Sequence, residues 1–296
     1  MQAPLLMALS TFLFATMSLC VKYASAYYTA GEIVFYRGMI GALVLWFMVR
    51  RRGGTLRTPV PGMHFWRSLS GVAALCTWFH AIGNLPLATA VTLNYMSSVW
   101  MALFLLGGAI LMGGSRIDSR LIATVLTGFA GVALVLRPTI EQDQLWYGLV
   151  GLLSGMLSAT AYLQVTALGR CGEPEYRVVF YFSLGGMVAG ALTMLYTGIS
   201  AHTPTGLALL LAVGLLATVA QLLMTRAYAT GKTLVNASLQ YLGIVYSFLY
   251  GAFLFDDPVT WMALLGMVLI VLAGVAATFL RTRAAPSTSA STTTDT

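Results

Sequence analysis

A helix needs about 20 mostly apolar residues to cross a bilayer, and this 296-residue chain offers ten such stretches in succession. They fall at about 3–22, 31–50, 66–83, 87–112, 120–137, 146–168, 176–198, 205–229, 233–255 and 259–281. What remains between them is too short for a soluble domain. Inside hydrocarbon every backbone N–H and C=O must be satisfied within the protein, so only helices and closed barrels span. A membrane barrel alternates polar and apolar side chains over runs of about ten residues, whereas these runs are apolar throughout. Charged residues are only 8% of the chain, against roughly 25% in soluble domains. The expected fold class is therefore an all-α integral membrane protein with ten transmembrane helices.

The first run resembles a leader peptide, because Ala24-Ser25-Ala26 looks like a cleavage site. It lacks a preceding basic residue and exceeds the 7–15 residues of a leader core, so it is read as a helix. The net charge of +7 would suggest nucleic acid in a soluble protein. Here the basic residues sit in short loops, the usual mark of cytoplasmic connections, and no nucleic-acid partner is expected. With the N-terminus cytoplasmic, the inside connections hold 13 Lys and Arg, Arg67 among them, and the outside ones hold only Lys22 and Arg137. Both termini are therefore expected inside, in a bacterial-type inner membrane. The Ser/Thr-rich residues 284–296 cannot bury a core and read as a disordered cytoplasmic tail.

The two halves of the chain resemble one another. Ala15-Thr16 recurs as Ala159-Thr160, and Val34-Phe35-Tyr36 as Val179-Phe180-Tyr181. Asn94-Tyr95 corresponds to Gln240-Tyr241, and Ala130-Gly131-Val132-Ala133 to Ala273-Gly274-Val275-Ala276. The offsets stay between 143 and 146. The predicted units are residues 1–140 and 141–283. Each holds five spans, and an odd number makes the second unit enter from the opposite side. Inverted repeats are the architecture of carriers, with the site near the midplane between the halves.

Further segments carry a resemblance to a known family. Asn84-Leu85-Pro86-Leu87-Ala88-Thr89-Ala90-Val91 leads into the fourth span, and residues 227–237, Ala-Tyr-Ala-Thr-Gly-Lys-Thr-Leu-Val-Asn-Ala, lead into the ninth. With Phe35-Tyr36-Arg37 and the Gly-rich closing helices, they resemble EamA-type members of the drug/metabolite transporter superfamily over about residues 1–283. The aromatic-rich core looks most like the YddG-type amino acid exporters. That family often has Pro in its fourth and ninth spans, where this chain has Ser97-Ser98 and Gly243-Ile244 nearby. The resemblance implies two inverted five-helix repeats around a central cavity, walled by the third, fourth, eighth and ninth helices.

Polar side chains inside spans are costly unless they are partnered or line a wet cavity. The candidate substrate-binding residues are Trp78, His80, Asn94, Tyr95, Ser98, Trp100, Gln164, Gln240, Tyr241 and Tyr246, with Ser97, Tyr162, Gln221 and Tyr250 beside them. Aromatic faces accept an apolar side chain or an ammonium group, and amides offer donors and acceptors to a zwitterion. The bland alternatives are interfacial aromatic belts and ordinary interhelical hydrogen bonds; His80 in particular reads either as cavity or as an interhelical contact or outer-interface residue. Arg37 lies within the second span, where it pairs with Glu32 or reaches a substrate carboxylate, the pairing being favoured. The glycine faces Gly151/Gly155 and Gly186/Gly190 suit close packing, either between the repeats or at a weak dimer face.

No Asp or Glu falls at mid-span, so tight proton coupling through a buried carboxylate is not expected. Cys20, Cys76 and Cys171 have no metal or redox spacing. No catalytic, metal or cofactor site is expected; there is neither a nucleophile elbow nor a phosphate-binding loop. The expected function is a secondary exporter of small metabolites, most specifically amino acids including aromatic and apolar ones, working by alternating access as a monomer or weak dimer. Export of a drug or another metabolite is the alternative.

Overall fold

The computed structural model describes residues 3–111, 144–231, 239–256 and 260–284, with single positions between 123 and 134 and Asn236. Most of the fifth span, the hairpin after the fourth, Lys232, Asp257 and the C-terminal tail lie outside the described residues. Among the described residues all regular structure is helical: α1 Ala3–Ala24, α2 Ala30–Arg51, α3 Pro61–Asn84, α4 Leu87–Tyr95, α5 Ser97–Leu111, α6 Gln144–Arg170, α7 Glu175–Thr197, α8 Pro204–Thr230, α9 Leu242–Leu254 and α10 Trp261–Ala284. Helices α1, α2, α6, α7 and α8 each carry an apolar window long enough to cross a bilayer. Large apolar side chains such as Leu43, Phe47, Leu192 and Leu195 are exposed on the outside of the bundle, as lipid-facing residues must be.

The fourth span is not one helix. It breaks at Met96, where the N–H turns back to the Leu93 carbonyl at 3.3 Å before α5 starts. The ninth span breaks at the corresponding place. Gln240 and Tyr241 form a turn ahead of α9, with the Gly243 N–H on the Gln240 carbonyl at 2.9 Å. Neither break contains a proline.

Packing joins the halves rather than separating them. The most extensive contacts are α1 with α8, α2 with α7 and α3 with α6. Missing side chains make the crossings close. A Cβ added at Gly38 would lie 2.5 Å from the Met187 nitrogen and the Ser183 carbonyl oxygen. One at Gly190 would lie 2.5 Å from the Phe35 nitrogen, and one at Gly155 would lie 2.6 Å from the Leu93 carbonyl oxygen. The Gly151/Gly155 and Gly186/Gly190 faces are thus used inside the chain, against α4 and α2.

Polar contacts tie the same elements at both ends of the bundle. At one end Thr29 caps α2 in a reciprocal box with Glu32. The Glu32 carboxylate also accepts from the Ser200 N–H at 2.6 Å and the Ser200 hydroxyl at 2.8 Å. Tyr36 meets His202 alongside, and the Lys22 ammonium donates to the Leu85 carbonyl at 2.6 Å. At the other end, buried His64 and Glu173 lie 3.0 Å apart, and Arg177 reaches the second Glu173 oxygen at 3.3 Å. Arg177 and Tyr181 then donate to the Thr55 and Leu56 carbonyls at 3.0 and 2.9 Å. Glu32 is therefore fully engaged without Arg37, and the expected Arg37–Glu32 pair does not form.

Overpacking a close crossing costs roughly 1–3 kcal/mol, occasionally more. Gly155→Leu is expected to lower the unfolding temperature in detergent by several degrees or to abolish a monodisperse peak in size-exclusion chromatography. Gly107→Ala, where nothing lies within 4 Å, is expected to behave as wild type. Equal stability of the two variants would show that the α4–α6 crossing is not tight.

Candidate functional site

The halves enclose a central cavity to which α1, α2, α3, α4, α6, α7, α8 and the turn before α9 all contribute. Its free volume is about 60 Å³. At roughly 10–15 Å³ for each water, that holds a few waters but not a metabolite.

The wall combines three kinds of group. Trp78, Tyr95, Tyr162 and Phe182 supply aromatic surface; Asn94, Gln221 and Gln240 supply amides; Arg37 and Arg67 supply charge. Asn94 is held in place by donating to the Ser154 and Ser158 hydroxyls on α6, at 3.0 and 3.1 Å, across the crossing that Gly155 permits. Several polar atoms here have no hydrogen-bond partner among the described residues, including the Trp78 indole nitrogen, the Gln221 amide nitrogen and the Gln240 carbonyl oxygen. Buried polar atoms are normally satisfied, so these positions suit a ligand or water.

The arginines are the exceptional feature. Arg37 and Arg67 are 5% and 2% exposed. Their guanidinium carbons lie 5.1 and 4.2 Å from the centre of the same Phe182 ring. Among the described residues no carboxylate lies within salt-bridge distance of either, and the Nε of both is unpartnered. Arg67 fits because Gly71, one turn further along α3, has no side chain; a methyl there would collide with the Arg67 guanidinium. Among the described residues no three His, Cys, Asp or Glu come together as a metal site.

Of the ten candidates read from the sequence, Trp78, Asn94, Tyr95 and Gln240 lie on the cavity wall. The other six lie elsewhere. His80 is exposed, its ring 5.4 Å from that of Tyr147; two positions from Trp78, it points about 200° round the helix. Gln164 stands in the same relation to Tyr162, and it accepts from the Ser70 hydroxyl at 2.8 Å. Tyr246 packs edge-on against Phe12 at 5.4 Å. Trp100 stacks on Phe104 at 6.2 Å. Ser98 and Tyr241 are buried off the wall. Sequence reasoning missed Arg67, which it counted as a loop charge, and with it Phe182 and Gly71. The available signal was Pro61, a residue suited to the first helical position, which starts α3 early enough to carry Arg67 into the helix.

Comparison with known proteins gives this site a context. The family model of the EamA-like transporter family matches residues 1–137. The pseudopaline exporter of Pseudomonas aeruginosa is 31% identical over 272 residues, covering 92% of this chain and 94% of that protein. A riboflavin transporter of Rhizobium johnstonii is 28% identical, over 69% of this chain and 66% of its own length. An S-adenosylmethionine uptake transporter of Rickettsia bellii is 24% identical over 84% of each. A crystal structure with a TM-score of 0.68 and 20% identity, covering 94% of this chain and 98% of its own, shares the fold. These relatives are transporters, not enzymes, and their cargoes differ. The chain belongs to the EamA-like transporter family of the drug/metabolite transporter superfamily, and it is a membrane transporter of small metabolites.

Proposed function

We propose that the chain is a secondary exporter, carrying a small amino-acid-type metabolite through the central cavity by alternating access between two inverted halves. One observation carries the reading: Asn94 and Gln240, equivalent positions of the two halves, both line the cavity, each beside the break in its own span. Discontinuous helices at a midplane site are what carriers of this kind use. The packing supports the inverted repeat as well. Exchanging the halves turns the α1–α8 contact into α6–α3 and leaves α2–α7 as it is. Arg37 even rests on Phe182, its own equivalent at an offset of 145.

The wall chemistry supports an amino-acid-type cargo. Guanidinium groups take carboxylate, aromatic faces take ammonium or apolar groups, and the amides serve both. The export direction draws on the 31% identical pseudopaline exporter, and the placement of both termini in the cytoplasm draws on the loop charges. The buried cations favour acidic cargo over the apolar and aromatic amino acids of YddG-type exporters.

Removing one ligand hydrogen bond from a buried site costs about 1–3 kcal/mol, or roughly tenfold or more in affinity. In proteoliposomes, Asn94→Ala and Gln240→Ala are expected to cut saturable uptake of labelled amino acids at least tenfold, with His80→Ala within twofold of wild type. Full activity in both cavity variants would place the transport path elsewhere.

The described acidic residues sit at helix ends or in loops: Glu32, Glu173, Glu175 and Asp256. Without a mid-span carboxylate, transport should proceed with no pH gradient. Adding substrate to sealed vesicles should move no stoichiometric protons, as followed with a trapped pH dye. A fixed proton-to-substrate ratio would refute facilitated or exchange transport.

A further inference from the structure

We infer that Arg37, Arg67 and Phe182 form a two-cation subsite that binds two carboxylates of a single substrate, so that the cargo is a dicarboxylic or polycarboxylic amino compound rather than a neutral amino acid. This rests on the carrier reading and specifies its substrate class.

Both guanidinium groups face one ring, so they lie within about 9 Å of each other. Both side chains are more than nine-tenths buried and both line the cavity. Neither has a carboxylate partner among the described residues. Stacking on Phe182 orients them but does not neutralise them. Both buried carboxylates described here are fully engaged: Glu32 by Thr29 and Ser200, Glu173 by His64 and Arg177. The contrast separates charges that hold the fold from charges kept open toward the cavity. A neutral zwitterion would bring one carboxylate and one ammonium, leaving the cavity with its full positive charge. A second carboxylate makes the substrate a net anion and halves that charge, and the fork of each guanidinium matches one carboxylate in a bidentate pair. The substrate's amine then falls to the aromatic and amide part of the wall, at Trp78, Tyr95 and Asn94. Gly71 keeps the place of the Arg67 guanidinium free of a side chain, which makes this glycine a specificity-determining position.

The test uses the full chain in lipid nanodiscs, with thermal unfolding as readout. The probes are L-glutamate, L-glutamine, L-phenylalanine and inorganic phosphate at millimolar concentration. Glutamate is expected to raise the unfolding temperature by a few degrees, and glutamine and phenylalanine to leave it unchanged. R37Q and R67Q, unliganded, are expected to unfold at or above the wild-type temperature, because each removes an unpaired buried charge. Both should lose the glutamate shift. Gly71→Ala should weaken glutamate at least tenfold, while Gly62→Ala, with open space around it, should match wild type. Three results overturn the inference: unliganded R37Q and R67Q less stable than wild type, no glutamate shift in wild type, or an equal shift from glutamine. A shift from phosphate alone also overturns it and assigns the cations to a phosphate group. Saturable flux of a neutral amino acid, untouched by R37Q and R67Q, would end this inference and leave the carrier reading standing. Absence of flux for every probe, with no thermal shift, would count against both.

Discussion

The close crossing of α2 and α7 is the contact on which the centre of this protein depends. Lipid is as apolar as a leucine side chain, so helices in a membrane gain little from hiding apolar surface against each other and associate through close packing and polar contacts. Gly38 and Gly190 bring the two backbones together with no side chain between them. The crossing fixes Arg37 of α2 over Phe182 of α7. A larger residue at either glycine would push the helices apart and take the guanidinium off the ring. Helix packing and the chemistry of the cavity are therefore one problem here, because the element that joins the halves also carries the charge.

Energetics explain why that charge matters. Taking an ion out of water costs several kcal/mol even after the protein relaxes. A cation over an aromatic face recovers about 0.5–2 kcal/mol. Two guanidinium groups sharing one ring remain far from compensated, and each repels the other. At the ends of the bundle the same polypeptide shows how a buried charge is normally treated: Glu173 has both oxygens engaged, and Glu32 accepts from backbone and hydroxyl donors on two segments. A chain that satisfies its structural charges so fully, and leaves two cations open at its centre, is arranged around something that arrives from outside.

The apolar runs made the helices legible, because length and hydropathy decide spanning almost alone. Two features were not legible. The break at Met96 has no proline or glycine in it; it falls just before Ser97-Ser98, where Gly155 of α6 packs close against the α4 backbone. Arg67 was misread because charge counting treats basic residues as loop residues. Five residues beyond the expected start at 66, α3 reaches back to Pro61, and the charge passes from loop to wall. The candidate list was partly legible for a geometric reason. Polar residues two apart on a helix cannot both face one cavity, so Trp78 excludes His80 and Tyr162 excludes Gln164. Repeat symmetry paired Asn94 with Gln240, both on the wall, and Tyr95 with Tyr241, of which only Tyr95 is on it.

A fixed positive cavity also bears on how export would be driven. On the dicarboxylate reading, a loaded carrier crosses with less positive charge than an empty one, since the net anionic substrate offsets part of the guanidinium charge. The empty carrier returns with its positive charge exposed to the field. In a cell whose interior is negative, each charge moving inward gains about 2.3 kcal/mol per 100 mV of potential. The potential then acts on the return step and favours the empty carrier facing the cytoplasm, ready for another substrate. Over a full cycle this equals the free energy released when the anion leaves a negative compartment. Outward transport of an acidic metabolite thus needs no titratable carboxylate at mid-span, and the acidic residues described here all sit at helix ends or in loops.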